Sequence, residues 1–303
     1  MLLRALALAV ALLPWRWLEP LGAVVGWLAG SVLRIRRSHV EAAMRSAGIG
    51  SPAIAAAGMY RALGASALEF LWLARRGEEA LDHVRIDAAS EPRWREALAH
   101  GRGVVVAASH TGNWDLAACA VARDVELVIV TKRLSVRSLD EFWQSTRRAR
   151  GVRLVEARGA VGCARAALGR GAAVAMMIDQ VPSSPRHAVP VDFLGRPALA
   201  DRSPAAVAAS TGAALVVAAS SRDTGGEHVL HVLDVLVPPA RPGRPWVDDA
   251  TVRTTAALDA FVRVRPTQWL WMHRRWKTID RGTKLAACAT TLSSSRAAAS
   301  RAV

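Results

Sequence analysis

Two apolar runs open the chain, residues 2–13 (LLRALALAVALL) and 21–33 (LGAVVGWLAGSVL). The break between them, 14–20 (PWRWLEP), carries two prolines, Arg16 and Glu19, and Arg34, Arg36 and Arg37 follow the second run. Each run is about 12 residues long, short of the ~20 that a spanning helix needs. The pattern predicts a monotopic or hairpin anchor over 1–35, with the arginine cluster held at a cytoplasmic membrane face. A signal peptide also begins with a charge and an apolar stretch. Here, however, the apolar pattern resumes after the break and runs straight into IRRSH.

Residues 38–81 carry apolar positions at helical spacing, and 84–88 (VRIDA) reads as a short strand. Pro92 opens a helix that ends near Gly101. Strands are then predicted at 103–109, 125–130, 152–156 and 172–178, with helices at 114–122, 138–150 and 160–169 between them. A Pro-rich loop over 180–200, a helix at 201–211, strands at 213–219 and 228–235 and a helix at 249–264 follow. A loop that long is a functional suspect. Continuous apolar strands alternating with helices imply an α/β fold: a mixed, largely parallel central sheet covered by helices on both faces. The expected organisation is an anchor over 1–35, one domain over 36–280 and a disordered Ala/Ser/Arg tail over 281–303.

Composition narrows the function classes. An apolar share of 52% over 303 residues excludes a disordered chain. Three cysteines (Cys119, Cys163, Cys288) without a CxxC pair exclude a disulfide scaffold and read as small buried hydrophobes. The net charge is +15, almost all from arginine, which suits an anionic lipid, a phosphorylated substrate, an acidic carrier or a nucleic acid. Nucleic acid fits least: the arginines are scattered, no zinc or RNP motif occurs, and an apolar N-terminus is out of place. Tryptophan dominates the aromatics, 11 against four Phe and one Tyr, and Trp15, Trp17 and Trp27 fall in the apolar N-terminus, where a membrane–water boundary would suit them.

The candidate chemistry sits in HTGNWD, residues 110–115, between a buried strand and a helix. Catalytic groups of open α/β sheets gather at the carboxyl ends of strands. His110 has the intrinsic pKa of a general base near neutral pH. The turn opened by Gly112 allows Asp115 to fold back and orient the imidazole, as the acid of a Ser-His-Asp triad does. No G-x-S-x-G elbow and no spaced metal-ligand set occur, so neither a serine nucleophile nor a metal is expected, and no cofactor.

HTGNWD resembles the H-x4-[DE] site of the lysophospholipid acyltransferase superfamily, and in particular of the bacterial lipid A biosynthesis (late) acyltransferases. Further segments are similar to that family in order: 130–160, MMIDQ at 176–180, VPVDFLGRPALA at 189–200 and PTQWLWMHRRWK at 266–277. The resemblance implies a glycerol-phosphate acyltransferase-like fold at the cytoplasmic face of the bacterial inner membrane. It implies transfer of a fatty acyl chain from acyl carrier protein or acyl-CoA to a hydroxyl of a lipid A precursor. An acceptor such as a phosphatidylinositol mannoside is the alternative, and a non-catalytic basic membrane- or nucleic-acid-binding protein the alternative of another class. His110 would deprotonate the hydroxyl and Asp115 orient it, with backbone N–H groups near Gly112 and Trp114 holding the oxyanion. Arg158 first, then Lys132 and Arg133, would contact acceptor phosphate or sugar. Asp179 and Gln180 would bind the head group, and Asn113 would shape the turn beside the substrate. Arg274, Arg275 and Lys277 are candidates for headgroup or carrier contact, whereas Trp269, Trp271 and Trp276 read as packing.

Overall fold

The computed structural model describes residues 2–184 and 187–277. The predicted tail and Cys288 lie outside them. After an N-terminal hairpin, α1 (Leu2–Val10) and α2 (Leu18–Trp27), come α3 (Arg37–Ser46), the long α4 (Pro52–Arg76) and α5 (Glu78–Leu81). The chain then alternates through β1 (Val84–Ile86), α6 (Glu91–Ala99), β2 (Val104–Ala108), α7 (Trp114–Asp124), β3 (Leu127–Thr131), α8 (Arg137–Arg148), β4 (Arg153–Glu156), α9 (Ala160–Leu168) and β5 (Ala173–Met177). It closes with β6 (Ala188–Phe193), β7 (Arg196–Asp201), α10 (Ser203–Thr211), β8 (Ala214–Arg222), β9 (His228–Leu236) and α11 (Arg244–Val264).

Seven strands form one sheet in the order β1-β9-β8-β2-β5-β3-β4. Every pairing is parallel except β8 with β9. The continuous apolar runs follow from this. Val105, Ala107, Val174, Met176, Leu215 and Val217 enter the core on one face, while Val104, Val106, Ala173, Ala175, Ala214 and Val216 enter the core on the other. The parallel strands bring the carboxyl ends of β2, β5, β3, β4 and β8 to one edge. His110, Asp179, Lys132, Arg158 and Arg222 all emerge there or just beyond it.

Two expectations need correction. Residues 180–200 are not one loop, because β6 and β7 form an antiparallel hairpin with Val191 opposite Ala198. Its two prolines do not prevent this: in a two-stranded ribbon an N–H can point outward, so none is lost from a ladder. Cys163 is exposed on α9, whereas Cys119 is buried.

The N-terminal hairpin is docked on α4 along one face only. Gly22, Gly26 and Gly30 recur every four residues and put α2 and the π-helical turn after it directly against α4. A Cβ on Gly26 would lie 1.9 Å from the Tyr60 carbonyl oxygen, and one on Gly22 2.3 Å from the Ala65 Cα. Only glycine permits that approach. The opposite face leaves Leu6, Leu12, Trp17, Leu21, Val25 and Trp27 exposed, with Leu28, Val32, Leu33 and Ile35 continuing it. No single described helix is long and apolar enough to cross a membrane; Leu2–Val10 and Trp15–Val32 would do so only as a pair bent by 112°.

Candidate active site

Strand β2 ends at Ala108 and the chain turns sharply through 109–113 into α7. Gly112 makes that turn at φ +55°, and a Cβ there would meet the Ser220 carbonyl oxygen at 2.7 Å. Thr111 is fully buried and its Oγ1 accepts from the Ser220 N–H at 3.0 Å. The C-terminal segment clamps the same turn: Leu270 N–H donates to the His110 carbonyl at 3.0 Å, and Gly112 N–H donates to the Gln268 carbonyl at 2.7 Å. Thr111 and Trp269 form an antiparallel bridge.

His110 is oriented by Asp179, not by Asp115. Asp179 stands just past β5, the strand paired with β2. Its Oδ1 accepts from His110 Nδ1 at 2.9 Å. Its Oδ2 accepts from the His110 backbone N–H and from Trp269 Nε1, both at 2.9 Å. An ionised carboxylate has no proton to give, so the bond to Nδ1 fixes the ring proton there and leaves Nε2 bare. Burial works against charge on His110, but Asp179 outweighs it, with a smaller contribution from Asp115, and the His110 pKa is raised. Burial likewise opposes charge on Asp179, yet His110, helped by His273, holds its carboxyl well below the usual range. Both Asp179 oxygens are thus engaged by His110 and Trp269, not free for a head group.

The Asp115 carboxylate faces away from the imidazole. Its Oδ1 accepts from Arg147 Nε at 2.7 Å and from Trp143 Nε1 at 3.1 Å, and Arg147 Nη2 lies 2.5 Å away. Residue 115 is already in the first turn of α7, so its side chain points across to α8 and not back over the turn. Asp115 is thus an electrostatic neighbour of His110 and a structural tie between α7 and α8.

Asn113 is 2% exposed, and its side chain is spent on contacts within the protein. Its Oδ1 accepts from the Leu116 N–H at 3.2 Å, capping α7, and its Nδ2 donates to Glu69 Oε2 at 2.9 Å. Glu69, 1% exposed on α4, also pairs with Arg222 and, at 3.0 Å, with His228 Nε2. Burial opposes its charge, but His228 and Arg222 lower its pKa to about 2. This ionic knot underpins the turn from below and has no signature in the sequence, because each partner of Glu69 lies more than 40 residues from it.

The remaining sequence candidates divide by exposure. Lys132 and Arg158 are exposed beyond β3 and β4 at the catalytic edge, and Arg133 is exposed but paired with Glu156. Neither β3 nor β4 pairs with β2, so these cations are lateral to His110 and do not touch it. The Gln180 carbonyl accepts from Arg275 Nη1 at 3.4 Å. Arg275 is only 2% exposed and also donates to the Leu199 carbonyl, so it braces the β6–β7 hairpin and is out of reach of headgroups. Burial lowers its pKa to about 10. The Gly112 N–H, bonded to Gln268, is not available as an oxyanion donor, whereas the first N–H groups of α7, at Trp114 and Asp115, have no intrahelical acceptor.

An apolar cleft of about 570 Å³ lies beside the turn, between the sheet and helices α6 and α7. Val106, Ile129, Ala175 and Val216 supply the sheet wall, Trp94 and Val121 the helix wall, and Ser109 and Trp114 the end nearest His110. The Trp114 ring is edge-on to His110 with centroids 5.1 Å apart. Among the described residues, His110, Asp179 and His273 form the group whose donor atoms are close enough to hold a metal ion. Both Asp179 oxygens are already hydrogen-bond acceptors, and they hold His110 at Nδ1.

A family model described as bacterial lipid A biosynthesis acyltransferase matches residues 1–278. A phosphatidylinositol mannoside acyltransferase of Mycobacterium tuberculosis is 35% identical over 127 residues, which is 40% of this chain and 39% of that protein. The similar stretch thus spans about two fifths of that relative's length.

Proposed function

Since the chain belongs to the bacterial lipid A biosynthesis acyltransferase family, we propose that it transfers a fatty acyl chain from a thioester to a hydroxyl of an anionic glycolipid, with His110 as general base. The observation that carries this reading is the His110–Asp179 pair: a partly exposed imidazole whose Nδ1 is held by a buried carboxylate and whose Nε2 is unbonded. That is the arrangement a base needs, and among the described residues no serine hydroxyl or cysteine thiol is hydrogen-bonded to the imidazole, which suits direct attack by the acceptor hydroxyl. The donor is acyl carrier protein or acyl-CoA. As the hydroxyl oxygen attacks the thioester carbonyl, its proton passes to His110 Nε2. The tetrahedral intermediate then collapses, the C–S bond breaks, and the thiolate recovers that proton. The α7 N-terminus at Trp114 offers positive dipole to the oxyanion.

The apolar cleft beside Trp114 suits the acyl chain, being within the size range of ligand sites and lined by hydrocarbon. Lys132 and Arg158 are exposed cations at the same edge and suit the acceptor's phosphate or sugar. The exposed apolar face of α1 and α2, flanked by Arg34 and Arg36, suits seating in the cytoplasmic leaflet of the inner membrane, which would bring a lipid acceptor to this edge without full extraction.

A lipid A precursor is the first acceptor to test. The mannoside is the second reading, favoured by the mycobacterial relative. Radiolabelled acyl carrier protein and acyl-CoA are each offered with either acceptor, to wild type and to His110→Ala. A labelled lipid from wild type alone supports the reading, and its mass names the acceptor; equal product from both proteins sinks His110 as base.

A further inference from the structure

His273 sits in the segment that clamps the catalytic turn, yet the mechanism above leaves it idle. Its imidazole centroid is 4.7 Å from that of His110, with the rings 64° apart. A ring nitrogen of each histidine and an oxygen of Asp179 lie within 4.8 Å of one another. The backbone around it is fixed from α3 and the loop before it: Arg36 Nη1 donates to the Met272 carbonyl at 3.0 Å, and His39 Nε2 is 3.3 Å from the His273 carbonyl oxygen. Three shielded side-chain nitrogens of this segment have no hydrogen-bond partner among the described residues, Arg275 Nε, Trp276 Nε1 and His273 Nε2, and of these His273 belongs to the ring beside His110. A buried polar atom without a partner costs stability and is rare. Burial first, and then the charge of His110, lowers the His273 pKa to about 4, so the ring is neutral where the base works.

A neutral imidazole next to the base cannot take the proton that His110 is there to accept. It does carry an N–H, which a developing anion can use. We propose that His273 is a second catalytic residue, donating a hydrogen bond from Nε2 to the thioester carbonyl oxygen as that oxygen becomes an oxyanion. The inference rests on the acyl-transfer reading of His110 and adds a role to it. The hydroxyl oxygen bonds to the carbonyl carbon, its proton goes to His110, and the carbonyl electron pair moves onto the oxygen facing His273. That pair returns as the C–S bond breaks and the thiolate takes the proton from His110. His273 keeps its own proton throughout, so its contribution is electrostatic and specific to the transition state.

The test compares His273→Ala, His273→Gln and His273→Asn in the acyl-transfer assay. Glutamine places an amide N–H near the imidazole Nε2 position, whereas asparagine reaches only the Nδ1 position. The alanine variant is expected to lose about 10²–10³-fold in kcat with KM for the thioester held within about threefold, and glutamine to recover about tenfold of that loss or more. Asparagine should stay with alanine. Glutamine no better than asparagine, or a loss confined to KM, overturns the proposal. Should the alanine variant fail to fold, the glutamine–asparagine difference still decides. Active wild type with an unaffected His273→Ala overturns this role alone; inactive wild type with every donor and acceptor overturns the acyl-transfer reading and this role with it.

Discussion

Replacing Asp179 by asparagine separates the two candidate partners of His110. In the native site Oδ2 accepts from the His110 backbone N–H and from Trp269 Nε1, both at 2.9 Å, and more distantly from His110 Nδ1 at 3.2 Å, while Oδ1 accepts from His110 Nδ1 at 2.9 Å. Asparagine has a single acceptor oxygen. Placing that oxygen at the Oδ2 position satisfies two buried donors; the reverse orientation strands both and sets N–H against N–H. The amide NH2 therefore takes the Oδ1 position and faces His110 Nδ1. As a donor at the shorter, 2.9 Å position it opposes a protonated Nδ1 and pairs with a bare one, which moves the ring proton to Nε2 at the expense of the longer 3.2 Å contact from Nδ1 to the retained oxygen. His110 then presents an N–H to substrate and is no longer a base. An Asp→Asn change that imposes the wrong tautomer in a Ser-His-Asp triad costs about 10⁴-fold in kcat, or ~5.5 kcal/mol of barrier, and a loss of that order is expected here. Asp179 is also the main influence raising the His110 pKa, so any residual activity should have its acidic limb at lower pH. Asp115→Asn predicts the opposite signature. It uncouples Arg147, whose side chain is 12% exposed, and the expected cost is ~3 kcal/mol or more of stability with a smaller loss in kcat. The assay is kcat and KM for acyl transfer against pH, beside thermal melting of the same preparations. Asp115→Asn dead at unchanged Tm, with Asp179→Asn within about tenfold of wild type, would refute the reasoning.

Other perturbations test the surroundings of the base. Glu69 has its pKa lowered from 4.5 to about 2, so its stabilising contribution is complete above pH 4.5 and lost as pH falls toward 2. Glu69→Gln should remove ~3 kcal/mol at neutral pH and flatten the stability profile across that window; an unchanged slope in pH-dependent urea melts counts against the ionic knot. Gly26→Val drives a Cβ into the Tyr60 carbonyl at 1.9 Å and should undock α2 from α4 at a cost above ~3 kcal/mol, read as lowered Tm; wild-type melting would contradict the close approach. Ala218→Leu narrows the apolar cleft and should shift donor preference to shorter chains, by about fourfold in kcat/KM per excluded methylene; an unchanged preference across a chain-length series would place the acyl chain elsewhere.

The strands, their helices and the largely parallel sheet were legible because parallel strands buried on both faces read as unbroken apolar runs, such as 103–109 and 172–178. The helical stretch expected over 38–81 divides into α3, α4 and α5, α11 begins at Arg244 and not at 249, and the β6–β7 hairpin was hidden by its prolines. His110 could be found because HTGNWD is local: strand end, glycine turn and helix start follow one another in sequence. The partner of His110 could not be found that way. Spacing offered Asp115, five residues on, but a helix start turns that side chain toward Arg147 on α8. What selects Asp179 is the parallel pairing of β2 with β5, which joins residues 69 positions apart. MMIDQ did carry a usable signal, an acid at the end of an apolar strand. Which strand lies beside β2 is set by sheet order, and sheet order is a global property of packing. The same holds for Glu69 with Arg222 and His228, and for His273 beside His110. The sequence by itself determined the layers of the fold, the turn that presents His110 and the apolar, basic character of the N-terminus. Only the tertiary structure decided which charge meets which, because a buried ion pair depends on distances of a few ångströms, and separation along the chain does not encode them.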